Sequence, residues 1–129
     1  MAEKENVISF KDVTYSYPGT ETPAIKNINL TIKEGEIILV TGPSGAGKTT
    51  LCSTLNRIVP EASEGELSGE ICFRGENISK YSIGKMAFKA GMLFQDPSGQ
   101  LINPTVADEV AFGPENKGVP VKKIEELID

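Results

Sequence analysis

The sequence has no histidine and only two cysteines, Cys52 and Cys72. The cysteine pair makes neither a metal-ligand set nor a disulfide framework. Without histidine, a zinc site is excluded. Both cysteines are expected as reduced, partly buried small residues. Long hydrophobic runs are missing as well. The longest near the middle is Ile37-Ile38-Leu39-Val40, far short of the roughly 20 residues that span a bilayer. The opening Met1-Ala2-Glu3-Lys4-Glu5-Asn6 is polar and has no apolar stretch behind it, so it does not read as a secretory leader. Any membrane role is expected to come through partners. There is also no Lys/Arg cluster. The 18 acidic residues outnumber the 13 basic ones, leaving a net charge of −5. That balance argues against nucleic acid as a partner, because such binding draws on phosphate neutralisation by basic side chains. A site for a polyanion would therefore have to be local, built from backbone dipoles and a few side chains. What is present is the composition of an ordinary globular chain, 129 residues long, about one domain in size.

Apolar patterning divides the chain into two kinds of segment. Residues 7–17 read as a strand: Val7, Ile8 and Phe10 open it, and Val13, Tyr15 and Tyr17 alternate with polar residues. Pro18-Gly19-Thr20 marks a turn. Residues 24–33 alternate through Ile25, Ile28, Leu30 and Ile32, the pattern of a half-buried antiparallel strand. Residues 36–40 differ. They are short, continuous and aliphatic, and predict a strand covered on both faces. A glycine-rich loop follows, then a helix with Leu51, Leu55 and Ile58 on one face, ended by Pro60. Residues 69–75 read as strand and turn, 81–89 as a short helix or irregular segment, and 91–95 as a second buried strand around Met92-Leu93-Phe94. Residues 106–112 predict one or two helical turns broken by Gly113-Pro114. Residues 121–129 predict an amphipathic helix with Val121, Ile124, Leu127 and Ile128 on one face. The pattern points to the α/β class, with an antiparallel β layer packed on an α/β core. The chain stops inside this last helix, which reads as truncation.

The loop Gly42-Pro43-Ser44-Gly45-Ala46-Gly47-Lys48-Thr49 matches G-x-x-x-x-G-K-[ST] and lies between an expected strand and an expected helix. Gly42, Gly45 and Gly47 permit positive φ and close approach of the main chain to an anion. Successive N–H groups can then converge as an anion nest, reinforced by the positive end of the helix dipole. Lys48 is placed to reach the β- and γ-phosphates of a nucleoside triphosphate. Thr49 offers a hydroxyl to Mg²⁺, and Thr50 can contact the α-phosphate. This loop accounts for polyanion binding by a chain without a basic surface.

The loop alone does not separate transport ATPases from kinases and GTPases. The flanking residues do. Val13-Thr14-Tyr15-Ser16-Tyr17-Pro18, then Ala24-Ile25-Lys26-Asn27-Ile28-Asn29-Leu30, then Gly35-Glu36 resemble the opening of the ABC transporter ATPase family, and Leu93-Phe94-Gln95-Asp96-Pro97 resembles that family's Q-loop. The likeness covers essentially the whole chain. It implies a P-loop NTPase, RecA-like core, incomplete here, with an N-terminal antiparallel β layer. It further implies that Tyr17 stacks on adenine and that Gln95 reaches Mg²⁺ and the attacking water. The implied cofactors are ATP and Mg²⁺. Lys48 and Gln95 are then the catalytic residues of the chain, and Thr49 and Gln95 the metal contacts. The implied location is peripheral, on the cytoplasmic face of the membrane.

The stretch from Asn103-Pro104-Thr105 through Glu115-Asn116, followed by Gly118-Val119-Pro120, resembles the ATPases of energy-coupling-factor vitamin and cobalt importers. The loop Glu64-Gly65-Glu66-Leu67-Ser68-Gly69-Glu70 resembles the first ATPase domain of members with two such domains in one chain. The implied partners are a second ABC ATPase domain and integral-membrane transporter subunits. Leu67-Ser68-Gly69 imitates the start of the family's LSGGQ signature, but Glu70 and Ile71 replace its next residues and the stretch precedes the Q-loop, so Ser68 is assigned no nucleotide role. The family's signature, its Asp-Glu strand and its switch histidine are not found in this chain. Residues 1–129 are therefore expected to be the N-terminal part of a nucleotide-binding domain, hydrolysing ATP poorly by itself. Two alternatives stand beside the transport reading: a non-hydrolysing nucleotide-binding module, and a soluble ABC ATPase outside transport.

Overall fold

The computed structural model describes residues 5–128. Met1 to Lys4, part of the polar opening, and Asp129, the last residue of the expected C-terminal helix, lie outside the described residues. The chain forms two compact units, residues 5–91 and 92–128.

The first unit is built on a four-stranded antiparallel sheet in the order β2-β1-β3-β4. Its strands are β1 (Asn6–Ser16), β2 (Ile25–Lys33), β3 (Glu66–Phe73) and β4 (Glu76–Asn77). In β1 the apolar pattern changes phase between Phe10 and Val13, both buried, where strict alternation would put one of them on the wrong face. A bulge solves this. Asp12 takes φ 50°, and the register of β1 against both neighbours shifts here. The Asp12 N–H, turned out of the ladder, donates to Asn29 Oδ1 at 2.9 Å. Gly69 sits across from the bulge with φ 84°, where a side chain would run into the Asp12 carbonyl oxygen. The glycine of Leu67-Ser68-Gly69 thus has a purely structural reason, and Ser68 pairs with Thr14 in mid-sheet.

The core combines Phe10, Val13 and Tyr15 of β1 with Ile25 and Ile71 from the flanking strands and with Val59, Ile78, Tyr81 and Met86 from the segments packed on them. Val59 lies in α2 (Ile58–Glu61) and Met86 in α3 (Ile83–Ala87). Ser82 caps α3 by accepting the Lys85 N–H. Arg57 closes this side: it donates to the Tyr81 carbonyl at 3.1 Å and pairs with Glu61 at 3.0 Å.

Helix α1 (Lys48–Leu55) follows the glycine-rich loop. It ends before Pro60, against expectation, because Arg57 at φ 68° turns the chain two residues after Leu55. Ile58 consequently belongs to the next element. Leu51 and Leu55 are only half-buried; the residues of α1 that are fully buried are Thr50, Ser53 and Thr54. Thr54 is tolerated there because its hydroxyl donates to the Leu51 carbonyl at 2.7 Å.

The two expected buried strands are not formed. Residues 36–40 and 91–95 carry no strand pairing, and Ile37 and Leu39 are 98% and 86% exposed. A strand exists only through a neighbour that takes up its N–H and C=O groups. Among the described residues none lies alongside these segments.

The second unit consists of a short 3₁₀ turn (Ser98–Gln100), α4 (Val106–Asn116) and α5 (Val121–Ile128). The two helices pack on each other, and Ala111 and Ile124 are the buried side chains. Of the apolar face expected on α5, Ile124 is buried, whereas Val121 and Leu127 are exposed. Thr105 caps α4: its Oγ1 accepts the Asp108 N–H at 3.1 Å and donates to the Asp108 carboxylate at 2.6 Å. Gly113-Pro114 does not break α4. Pro114 removes the one donor that would meet the Val110 carbonyl, but the helix runs on to Asn116, whose Nδ2 donates to the Phe112 carbonyl while the Lys117 N–H closes the end on those of Gly113 and Pro114.

Candidate nucleotide site

The loop at residues 42–47 arrives at α1 through Gly47, which precedes the helix with φ 86° and ψ 6°. Two constraints fix glycine there. The conformation is left-handed, and a Cβ would run into the Ala24 carbonyl oxygen and lie 3.0 Å from Ile25 Cγ2. The loop is thereby pressed onto the start of β2. Gly45 shares a left-handed φ of 80° but faces open space. Because Gly47 has no side chain to cap α1, the first amide N–H groups of the helix are left to another acceptor. At a helix start carrying the positive end of the dipole, an anion is the natural one.

Lys48 turns back across the loop. Its ammonium donates to the carbonyls of Gly42 at 2.8 Å and Pro43 at 2.7 Å. Its cation is thus held over the loop, next to the open helix start. Ser44, Ala46 and Thr49 are exposed around it, and Thr50 is buried in the first turn. Tyr17, just beyond β1, is brought to the same place: its hydroxyl lies 3.0 Å from Thr50 Oγ1. Tyr17 is 37% exposed, and its ring meets that of the buried Tyr15 edge to face, with centroids 4.9 Å apart. Beside Tyr17 opens a pocket of about 340 Å³, walled by the β1–β2 turn and by Glu64 and Glu66. Tyr15 itself is buried beside Gly65, and burial pushes its pKa up, so it stays neutral.

Gln95 belongs to the second unit and stands exposed on a bend. Around it, Gln100 holds the segment: its Oε1 accepts the Phe94 N–H at 3.0 Å and its Nε2 donates to the Met92 carbonyl. The Asp96 carboxylate accepts from the Ser98 hydroxyl at 2.5 Å and from the Ser98 N–H at 3.1 Å. The hydroxyl first, then the Gly99 and Ser98 amides, draw its pKa below the usual carboxylate range. The Tyr17–Thr50 bond is the feature of this region that sequence reading missed. No spacing rule links a strand end to a residue 33 positions later.

The sequence profile of the ABC transporter family matches residues 25–128. The chain belongs to the ABC transporter family. Among curated proteins of this family, it is 43% identical to an ABC transporter ATP-binding protein of Methanosarcina mazei over 95% of its own length and 21% of the relative's. It is 41% identical to an ABC transporter ATP-binding protein of Pyrococcus horikoshii over 88% of its length and 40% of that relative's. Its fold matches CbiO1 of Clostridium perfringens, part of the ABC transporter complex CbiONQ, with a TM-score of 0.79 at 33% identity, over 95% of this chain and 47% of that one. A bacterial Atm1-family ABC exporter with ATP bound shares the fold at a TM-score of 0.69 and 22% identity. The expected α/β P-loop NTPase class with its N-terminal antiparallel layer is therefore the family's own. The chain spans about a fifth of the length of the first curated ABC relatives it matches. No helix among the described residues is long and apolar enough to cross a membrane.

Proposed function

We propose that residues 1–129 form the N-terminal part of an ABC nucleotide-binding domain, and that this part grips Mg-ATP. The observation that carries the reading is the uncapped start of α1 behind Gly47, with the Lys48 ammonium held beside it. In this reading residues 42–50 (Gly42, Pro43, Ser44, Gly45, Ala46, Gly47, Lys48, Thr49 and Thr50) cradle the phosphates, every one of them except Pro43 having a backbone N–H to donate. Lys48 neutralises the β- and γ-phosphates, and the Tyr17 ring takes the base. The donors suit Mg²⁺ well: it favours oxygen ligands and is held mainly by phosphate and water, with few protein groups. The Thr49 hydroxyl would supply one such ligand. Bound Mg²⁺ would neutralise charge on the transferred phosphoryl group.

In the whole protein, ATP hydrolysis would drive transport. The likeness to CbiO1, part of a CbiONQ complex, supports an importer of the energy-coupling-factor type for a vitamin or metal ion. The partners would be a second ABC ATPase domain and integral-membrane subunits, with the chain peripheral to the cytoplasmic face of the membrane. The test is ATP hydrolysis by the whole protein assembled with its membrane subunits in vesicles. Lys48→Ala should abolish ATP-driven uptake. Uptake equal to the unmutated protein would overturn the mechanism.

A further inference from the structure

The Tyr17 ring is fixed at two points. Its flank meets Tyr15, which is fully buried in the core, and its hydroxyl meets Thr50 Oγ1 at 3.0 Å. Thr50 is itself buried, at 6% exposure, in the first turn of α1 and two residues past Lys48. A half-exposed aromatic ring would otherwise be free to rotate about χ1 and χ2. Here its tip is tied to the phosphate loop. On the reading given above, the platform for the base and the cradle for the phosphates are therefore joined through one pair of hydroxyls.

We propose that Thr50 is a positioning residue for base recognition: its hydroxyl holds the Tyr17 ring in the orientation on which a purine stacks. Thr50 acts through Tyr17 and need not touch the base. The inference rests on the nucleotide reading of residues 42–50 and of Tyr17, but makes a separate demand on Thr50. The demand is that removing the Thr50 hydroxyl weakens binding of a nucleotide more than binding of a base-free polyphosphate.

The test uses the whole protein and two probes, Mg-ATP and magnesium tripolyphosphate, by equilibrium binding. Thr50→Val and Tyr17→Phe should each weaken Mg-ATP binding by roughly threefold to tenfold, the size of one partly buried neutral hydrogen bond. The double variant should lose no more than either single one, because both remove the same bond. Thr50→Ser should restore the affinity, Tyr17→Phe should leave tripolyphosphate binding unchanged, and Thr50→Val should weaken tripolyphosphate less than it weakens Mg-ATP. Two results overturn the inference alone: equal weakening of tripolyphosphate by Thr50→Val, or a further loss of Mg-ATP affinity when it is added to Tyr17→Phe. Either would place the Thr50 hydroxyl on phosphate. Absence of Mg-ATP binding by the unmutated protein, or full affinity in Tyr17→Ala, overturns the nucleotide reading together with the inference. Should Thr50→Val fail to fold, Tyr17→Phe decides: unchanged Mg-ATP affinity contradicts the proposal.

Discussion

Gly47 and Ala24 approach so closely that any side chain at Gly47 would run into the Ala24 carbonyl oxygen, while the backbone of Gly47 holds φ at 86°. The start of β2 and the entry to α1 are locked together by the absence of one methyl group. Gly47→Ala must both adopt a left-handed conformation, which costs about 1–2 kcal/mol, and displace backbone. The expected result is a loss of at least about 2 kcal/mol in denaturant unfolding of the whole protein, with loss of Mg-ATP binding. Gly45→Ala meets the φ cost alone, because nothing lies within 4 Å of its Cβ position. Its effect on stability should be the smaller of the two.

Gly65 plays a similar part beneath the core. A Cβ there would run into the Tyr15 ring and hydroxyl and the Ser16 carbonyl. Tyr15 is fully buried and cannot move aside without opening the core around Val13 and Ile25. Gly65→Ala should destabilise the protein by about 1–3 kcal/mol, as overpacking does. Because Tyr15 also flanks Tyr17, Mg-ATP affinity should fall with it. Equilibrium unfolding and Mg-ATP titration on the same variant check both.

A pH effect follows from Glu109. One of its carboxylate oxygens accepts from the Asn103 N–H at 3.0 Å, the Asn103 side-chain amide at 2.9 Å and the Ile102 N–H at 3.1 Å. These bonds, the Asn103 backbone first, lower its pKa. A depressed carboxyl pKa contributes stability above the unfolded value, near 4.3 for glutamate, and that contribution is lost as pH falls through the folded value. The Asn103 amide resonance should therefore hold its position down to about pH 4.3 and shift as the pH falls further. In Glu109→Gln that acid transition should be absent.

The apolar segment at residues 37–40 bears on solubility. Ile37 and Leu39 are almost wholly exposed and lie in a β-branched, uncharged run, a template for pairing with another chain. The isolated 129-residue chain should aggregate at micromolar concentration and show no cooperative unfolding well above 60 °C, the upper part of the usual mesophile range. Ile37→Lys combined with Leu39→Lys should delay aggregation, measured by light scattering.

These elements show what was legible in the sequence. The alternation of Ile25, Ile28, Leu30 and Ile32 located β2, and the glycine–lysine spacing located the loop and α1, because both patterns arise from local geometry. The phase change between Phe10 and Val13 was visible too, but its meaning needed Gly69, remote in sequence. Residues 36–40 were legible as strand formers, yet strand formation depends on a neighbour that no local pattern supplies. The burial of Thr50, Ser53 and Thr54 in place of an aliphatic face was hidden, since hydroxyl residues read as exposed until their partners are known. The link from Tyr17 to Thr50 was hidden for the same reason.

The central claim is that residues 42–50 hold the phosphates of Mg-ATP, with Lys48 as their cation. Equilibrium binding of Mg-ATP to the whole protein, compared with Lys48→Ala, tests it most directly. The account predicts saturable binding to the unmutated protein and at least a hundredfold weaker binding to the variant, about 2.7 kcal/mol or more for the loss of a charged contact to phosphate. Equal affinity in the two proteins would contradict it.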